Sequence, residues 1–190
     1  MEHNRRKLVV GISGASGAVL AQRFLGLLLE ECSVDIDLIL TQAATRVWEQ
    51  ELPGADLPGG VRIRRWAIDD LAAGPSSGSY PTMGMVVLPC SMGTLGRIAL
   101  GTSDNLLCRA ADVTIKEHRP LLLGVRESPL SAIHLRNMLT LAELGVQIVP
   151  PMLTCYNGAQ GLAAMADEYA RHLLELLGLG QRARRWPDLC

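Results

Sequence analysis

The chain has 190 residues, which suits one domain, and its 48% hydrophobic and 19% charged content is enough to bury a core and excludes a disordered chain. Eighteen Lys and Arg against 19 Asp and Glu leave a net charge of -1, so no global positive field exists to hold nucleic acid or an anionic membrane, and 4% aromatic content argues against a base-stacking platform. No apolar run reaches the about 18 residues of a membrane helix, and the scattered Cys32, Cys90, Cys108, Cys155 and Cys190 form no CxxC pair, which argues against a zinc ribbon or disulfide scaffold and suits a reducing cytoplasm.

The opening MEHNRRKLVVGISGASGAVLA has the basic-then-apolar order of a signal peptide, but its apolar stretch is broken by three glycines and two serines. Residues 8–12 read instead as a buried strand, and 18–30 as a helix with Leu20, Phe24, Leu27 and Leu28 at helical spacing. A second strand follows at 34–40, and Thr41 is placed to cap a helix running to about Glu51. Residues 52–60 and 72–83 are loops rich in Gly and Pro, with a strand expected between them at 61–65. Further strands are expected at 85–89, 121–125 and 146–149, and helices at 91–100, 108–117, 130–144 and 159–177. Residues 1–180 then form a single domain, with a basic tail at 181–190.

This alternation, with near-continuous apolar strands, predicts an α/β fold: a three-layer, Rossmann-like (flavodoxin-like) parallel sheet with helices on both faces. Ligands of such sheets bind beyond the carboxyl ends of the strands. Four strand exits carry chemistry there. The first, GISGASGA, combines Gly11, Gly14 and Gly17 with Ser13 and Ser16. Free N–H groups of the following helix would face an anion or a polar ring edge. The second, LPCSMGTL, offers Ser91, Gly93 and Thr94 as another small-residue cradle, while Cys90 reads as a small buried residue. The third places Arg126 and Glu127 at the rim as an anion clamp and a proton-transfer group. The fourth, PPMLTCYNG, brings Tyr156. Lys116, one of only two lysines, lies between Arg109 and Arg119 and suits a phosphate. His134 reads as a structural helix histidine. Asp37, twenty residues past Gly17, is where a ribose-binding acid would fall in a dinucleotide fold, so an NAD(P) enzyme is a competing reading.

Taken together, GISGASGA, PCSMGTL and NLLCRAADVTIKEHRPLLLGVRESPLSAIHLRNMLTLAELG resemble the UbiX flavin prenyltransferases, a branch of the flavoproteins that include flavin-dependent cysteine decarboxylases; the likeness spans about residues 7–178. The resemblance implies FMN as cofactor, held at a subunit interface of trimers that assemble into dodecamers. It implies transfer of a dimethylallyl group from dimethylallyl monophosphate to reduced FMN without metal. The prenyl C1 bonds to flavin N5, phosphate leaves, and the ring closes on C6. The product would serve a UbiD-type decarboxylase.

Position by position, the resemblance assigns Gly14, Ala15, Ser16, Thr41, Ser91, Met92, Gly93, Thr94 and Arg126 to FMN. It assigns Lys116, Tyr156, Arg109 and, by position, His172 to the prenyl phosphate. Ser16 and Glu127 take the catalytic roles, managing protons and phosphate departure. Ser77, Gly78 and Ser79 match the family's SGS loop. Three positions depart from the pattern: Leu71 replaces a tryptophan, His172 replaces an arginine, and TCYNGA replaces G-F-Y-x-x-P. The departures all fall on the prenyl-phosphate half, so an FMN-binding flavoprotein without prenyl transfer, a flavin carrier or a flavin-dependent decarboxylase, is the alternative.

Overall fold

The computed structural model describes residues 5–152, 154–155 and 158–180. Six strands, β1 (Arg6–Ile12), β2 (Val34–Leu40), β3 (Ile63–Trp66), β4 (Met85–Cys90), β5 (Leu121–Val125) and β6 (Gln147–Ile148), form one sheet in the order β3-β2-β1-β4-β5-β6. Every pairing is parallel. Helices α1 (Ala18–Glu31), α2 (Gln42–Glu51), α3 (Met92–Ala99), α4 (Leu106–Lys116), α5 (Ala132–Glu143) and α6 (Gly161–Leu176) join them, with one 3-10 turn at Gly74–Ser76. The expected fold is therefore the observed one. The opening segment is the central strand and a core helix.

Both faces of the sheet are buried, which is why the strands read as continuous apolar runs. On one face Leu8, Val10, Ile12, Ile36 and Leu38 pack with Phe24 and Leu28 of α1 and Leu173 of α6. On the other, Val9, Ile39, Met85 and Val87 pack with Leu95 of α3 and Leu107 of α4. Gly11 belongs to that second face, and a Cβ there would stand 3.0 Å from Leu107.

Element boundaries depart from expectation where a cap or turn decides them. The third strand starts at Ile63, because Gly60 takes φ +135° and its carbonyl accepts from Ile63 N–H at 3.0 Å, leaving Val61 in solvent. Helix α4 begins two residues early because the Asn105 side chain caps it, accepting from Cys108 N–H at 3.0 Å. Helix α5 begins at Ala132 rather than 130 because Ser131 caps it, with His134 returning a bond to the Ser131 N–H at 3.2 Å. His134 is thus structural, in the place a glutamate usually fills in a capping box.

The strand order reverses between β1 and β4, so the crevice for a ligand opens beyond their carboxyl ends. Main-chain bonds tie the four exits side by side there: Thr41 N–H to Ile12 O (3.0 Å), Ser13 N–H to Pro89 O (3.2 Å) and Arg126 N–H to Cys90 O (3.1 Å).

Candidate functional site

The first two exits are joined by a residue that offers nothing to a ligand. Ser13 is 1% exposed. Its Oγ donates to Pro89 O at 2.9 Å and accepts from Ser91 N–H at 2.8 Å. The sequence places this hydroxyl among the ligand groups, but burial and two good bonds make it a staple from the first exit to the end of β4 and the start of α3. Ser13→Ala should therefore lower stability by about 1–3 kcal/mol, because a buried amide loses its acceptor. Chemical denaturation measures this, and a loss below about 0.5 kcal/mol would contradict the staple.

Gly17 stands just before helix α1 as its N-cap, with a φ of +118° that suits glycine, and it brings no side-chain cap. The cap comes from afar. Glu51, the last residue of α2, accepts from Gly17 N–H and Ala18 N–H at 2.8 Å each. Burial would raise the Glu51 pKa, but hydrogen bonds from Ser16, Gly17 and Ala18 and the charge of Arg126 hold it below the usual carboxylate range. This corrects the first expectation: the amides foreseen for a ligand anion already hold a protein carboxylate, as the helix dipole favours. Glu51 was missed by sequence reading. Its signal was its place on α2, seven residues after Ala44 and three after Trp48, both buried, which turns it to the packed side of the helix.

Around this acid stand the expected FMN residues. Gly14 packs so tightly that a Cβ would overlap the Ala43 methyl of α2. Ala15 is buried and Ser16 exposed at the loop tip. Thr41 caps α2, its side chain accepting from Ala44 N–H at 3.1 Å. Ser91 caps α3, accepting from Thr94 N–H at 3.4 Å and donating to Thr94 Oγ1 at 3.1 Å. Met92 is nearly buried while Gly93 is exposed, its nearest neighbour for a Cβ being Arg97 at 3.7 Å. Arg126 reaches back across the edge, its Nε donating to Ser16 O at 3.0 Å. Glu127 is exposed beside it, and its carboxylate accepts from Ser128 N–H at 3.0 Å rather than pairing with Arg126.

This donor set fits FMN. Short hydroxyls at the starts of α2 and α3, the first-turn amides of Met92 and Gly93, which no helix carbonyl can satisfy, and one arginine suit a phosphomonoester and a polar ring edge. The set does not fit NAD(P). Asp37 is 3% exposed inside β2, three residues short of its end, and accepts from Trp66 Nε1 at 2.7 Å, so it cannot reach a ribose. Cys90 is fully buried, which pushes its thiol pKa up and rules out a nucleophile.

The residues expected to bind the prenyl phosphate lie elsewhere in the chain. Lys116 ends α4, five residues before β5 starts, at the amino edge of the sheet and beside Gly78 of the SGS loop. Arg109 lies on the same helix, its Nε donating to Ser76 O at 3.2 Å and its Nη1 to Asp112 at 2.8 Å. His172 is exposed on α6, on the opposite face. Its neighbour Arg171 is bound by Glu31 at 2.6 Å and is therefore not free to replace it. Leu71 is 48% exposed. Tyr156 lies outside the described residues, as do residues 181–190. One chain thus gathers the residues expected for FMN at one edge and scatters those expected for the phosphate.

A parallel sheet in this order, with hydroxyl-capped helices and an arginine at the switch point, defines an FMN-binding α/β protein. The flavoprotein family profile matches residues 1–170. The flavin prenyltransferase UbiX of Salmonella typhimurium is 44% identical over 172 residues, 90% of each chain. A crystal structure described as a dodecameric FMN-dependent UbiX-like decarboxylase from Escherichia coli O157:H7 superposes with a TM-score of 0.86 at 41% identity, covering 95% of this chain and 98% of that one. AnUbiX (PadA1), solved with FMN and dimethylallyl pyrophosphate, superposes with a TM-score of 0.84 at 35% identity, covering 96% of this chain and all of that one. The chain belongs to the flavoprotein family, in its UbiX-like flavin prenyltransferase branch.

Proposed function

We infer that this protein is a flavin prenyltransferase, moving a dimethylallyl group from a dimethylallyl phosphate ester to reduced FMN. What carries the reading is the match, over nine-tenths of the chain, to a relative named for that activity. The aligned exits support it. When bound, reduced FMN supplies the nucleophilic nitrogen that accepts the prenyl carbon as phosphate departs. The chain's own residues do the rest. Thr41, Ser91, Gly93, Thr94 and Arg126 hold and orient the flavin. The Glu51 carboxylate, ionised at neutral pH, accepts a hydrogen bond from the Ser16 hydroxyl, which leaves the Ser16 oxygen able to accept one in turn. Glu127, exposed at the rim, accepts the proton released from the acceptor nitrogen. Lys116 and Arg109 neutralise the charge on the departing phosphate.

Because Lys116 and Ser16 lie at opposite edges of one sheet, the complete site is shared between copies. The outer face of α5 supports self-association: Leu135 is 52% and Leu139 60% exposed, one turn apart, and Leu141 is the helix's buried residue. The relative from Escherichia coli O157:H7 is dodecameric, and we place this chain in a dodecamer too, one built from trimers, in the cytoplasm, with its product passing to a UbiD-type decarboxylase. Among the described residues no helix is long and apolar enough to cross a membrane. The sequence relatives named for flavin prenyl transfer do not favour the flavin carrier or decarboxylase.

The test mixes protein, reduced FMN and dimethylallyl mono- or diphosphate and weighs the flavin released. A mass gain of one dimethylallyl group is expected. No gain with either donor would remove the activity and leave the fold and FMN binding intact.

A further inference from the structure

The cations around the loop at 76–82 are not equally committed. Arg119 is locked: it donates to Gly78 O at 2.7 Å, to Tyr80 O at 2.9 Å and to Thr82 Oγ1 at 3.0 Å, and its side chain is 19% exposed. Arg109 is shared between the Ser76 carbonyl and Asp112. Among the described residues Lys116 is held by one ion pair, to the adjacent Glu117, and both side chains are open to water, at 47% and 34% exposure. The second Glu117 oxygen stands 4.0 Å from Arg119. The pair lies down on Gly78: a Cβ there would overlap Glu117 Oε1 and stand 2.7 Å from Lys116 Nζ.

We propose that Glu117 is the resting counter-ion of Lys116: it holds the ammonium in place over Gly78 and releases it to the phosphate of the prenyl donor. The proposal rests on Lys116 being a phosphate ligand. Glu117 is ionised for this purpose; the Lys116 hydrogen bond and charge, with Arg119 and His118 adding to them, hold its carboxyl below the usual range. An exposed pair of this kind contributes little, whereas a phosphate dianion accepts stronger, charge-assisted bonds from the same ammonium. The exchange therefore runs toward phosphate when donor arrives and back toward Glu117 when inorganic phosphate leaves. Arg119 cannot make this exchange without releasing the loop, and Arg109 would have to give up two partners. Glu117 is thus a positioning residue with a cost: by competing for Lys116 it weakens phosphate binding and speeds phosphate release.

Calorimetric titration of the full-length, FMN-loaded protein with inorganic phosphate reads this directly. Glu117→Gln keeps the shape and removes the charge, and its Kd for phosphate should fall roughly three- to fivefold at low ionic strength, with the gain shrinking at high salt. FMN stoichiometry should not change. A residue that merely supported the loop would give the opposite sign, weaker binding, and that result or an unchanged Kd overturns the counter-ion role. Lys116→Met separates the premise. If it weakens phosphate binding while Glu117→Gln does not tighten it, only the counter-ion role falls. If it leaves phosphate binding untouched, Lys116 is not a phosphate ligand and both ideas fall.

Discussion

Arg126→Ala is expected to weaken FMN binding by roughly ten- to a hundredfold, the equivalent of losing charge-assisted hydrogen bonds of about 1.5–3 kcal/mol. The arginine leaves β5 at the carboxyl edge and bonds across 110 residues to Ser16 O. Its charge also lies near enough to Glu51 to lower that carboxyl's pKa. Removing it subtracts an anion donor and leaves the Glu51 charge less compensated, so both effects oppose a flavin phosphate. The fold should barely respond, because Arg126 is exposed and the β5–β4 bond at this point is made by its main chain. Flavin fluorescence titration gives the Kd and thermal unfolding gives the control. A variant that purifies with one FMN per chain would show that this arginine is no clamp.

The contrast between Arg126 and Glu51 shows what one sequence discloses. Arg126 follows five apolar residues of a strand, so its place at the rim is a local fact, readable from the pattern Leu121–Val125 alone. Thr41 and Ser91 were legible for the same reason: each stands between a buried strand and a helical period, where a short hydroxyl caps. Glu51 could not be placed from its neighbours by chain distance. It reaches Gly17 over 34 positions because α1 and α2 pack side by side on the same face of the sheet. Only its helical phase with Ala44 and Trp48 hinted at this. The same limit misplaced the first-exit amides, whose partner comes from that distant helix, and Ser13, whose two bonds run to the end of β4 and the cap of α3, 76 and 78 positions away. The fold, set by local periodicity, was legible almost whole. The site was legible as a set of residues and not as a set of contacts.

Mixing two inactive variants should restore activity, and this outcome separates a shared site from a single-chain one. Ser16→Ala removes the hydroxyl at the carboxyl edge of the sheet, and Lys116→Ala removes the ammonium at the amino edge. If the proposed site is shared, each one draws Ser16 from one copy and Lys116 from another, so each variant alone spoils every site. Random reassembly of equal amounts places an intact Ser16 against an intact Lys116 in about a quarter of sites, since symmetry makes all copies interchangeable. The expected result is prenylated flavin at roughly a quarter of the unmodified rate, appearing only after the two variants are dissociated together and reassembled. Simple mixing of preformed assemblies should stay inactive, because no subunit exchange has occurred. If co-assembled variants remain inactive while each still binds FMN and keeps its assembly mass, Ser16 and Lys116 do not meet across an interface. The phosphate would then have to be held by groups already at the carboxyl edge, with Arg126 the first to test.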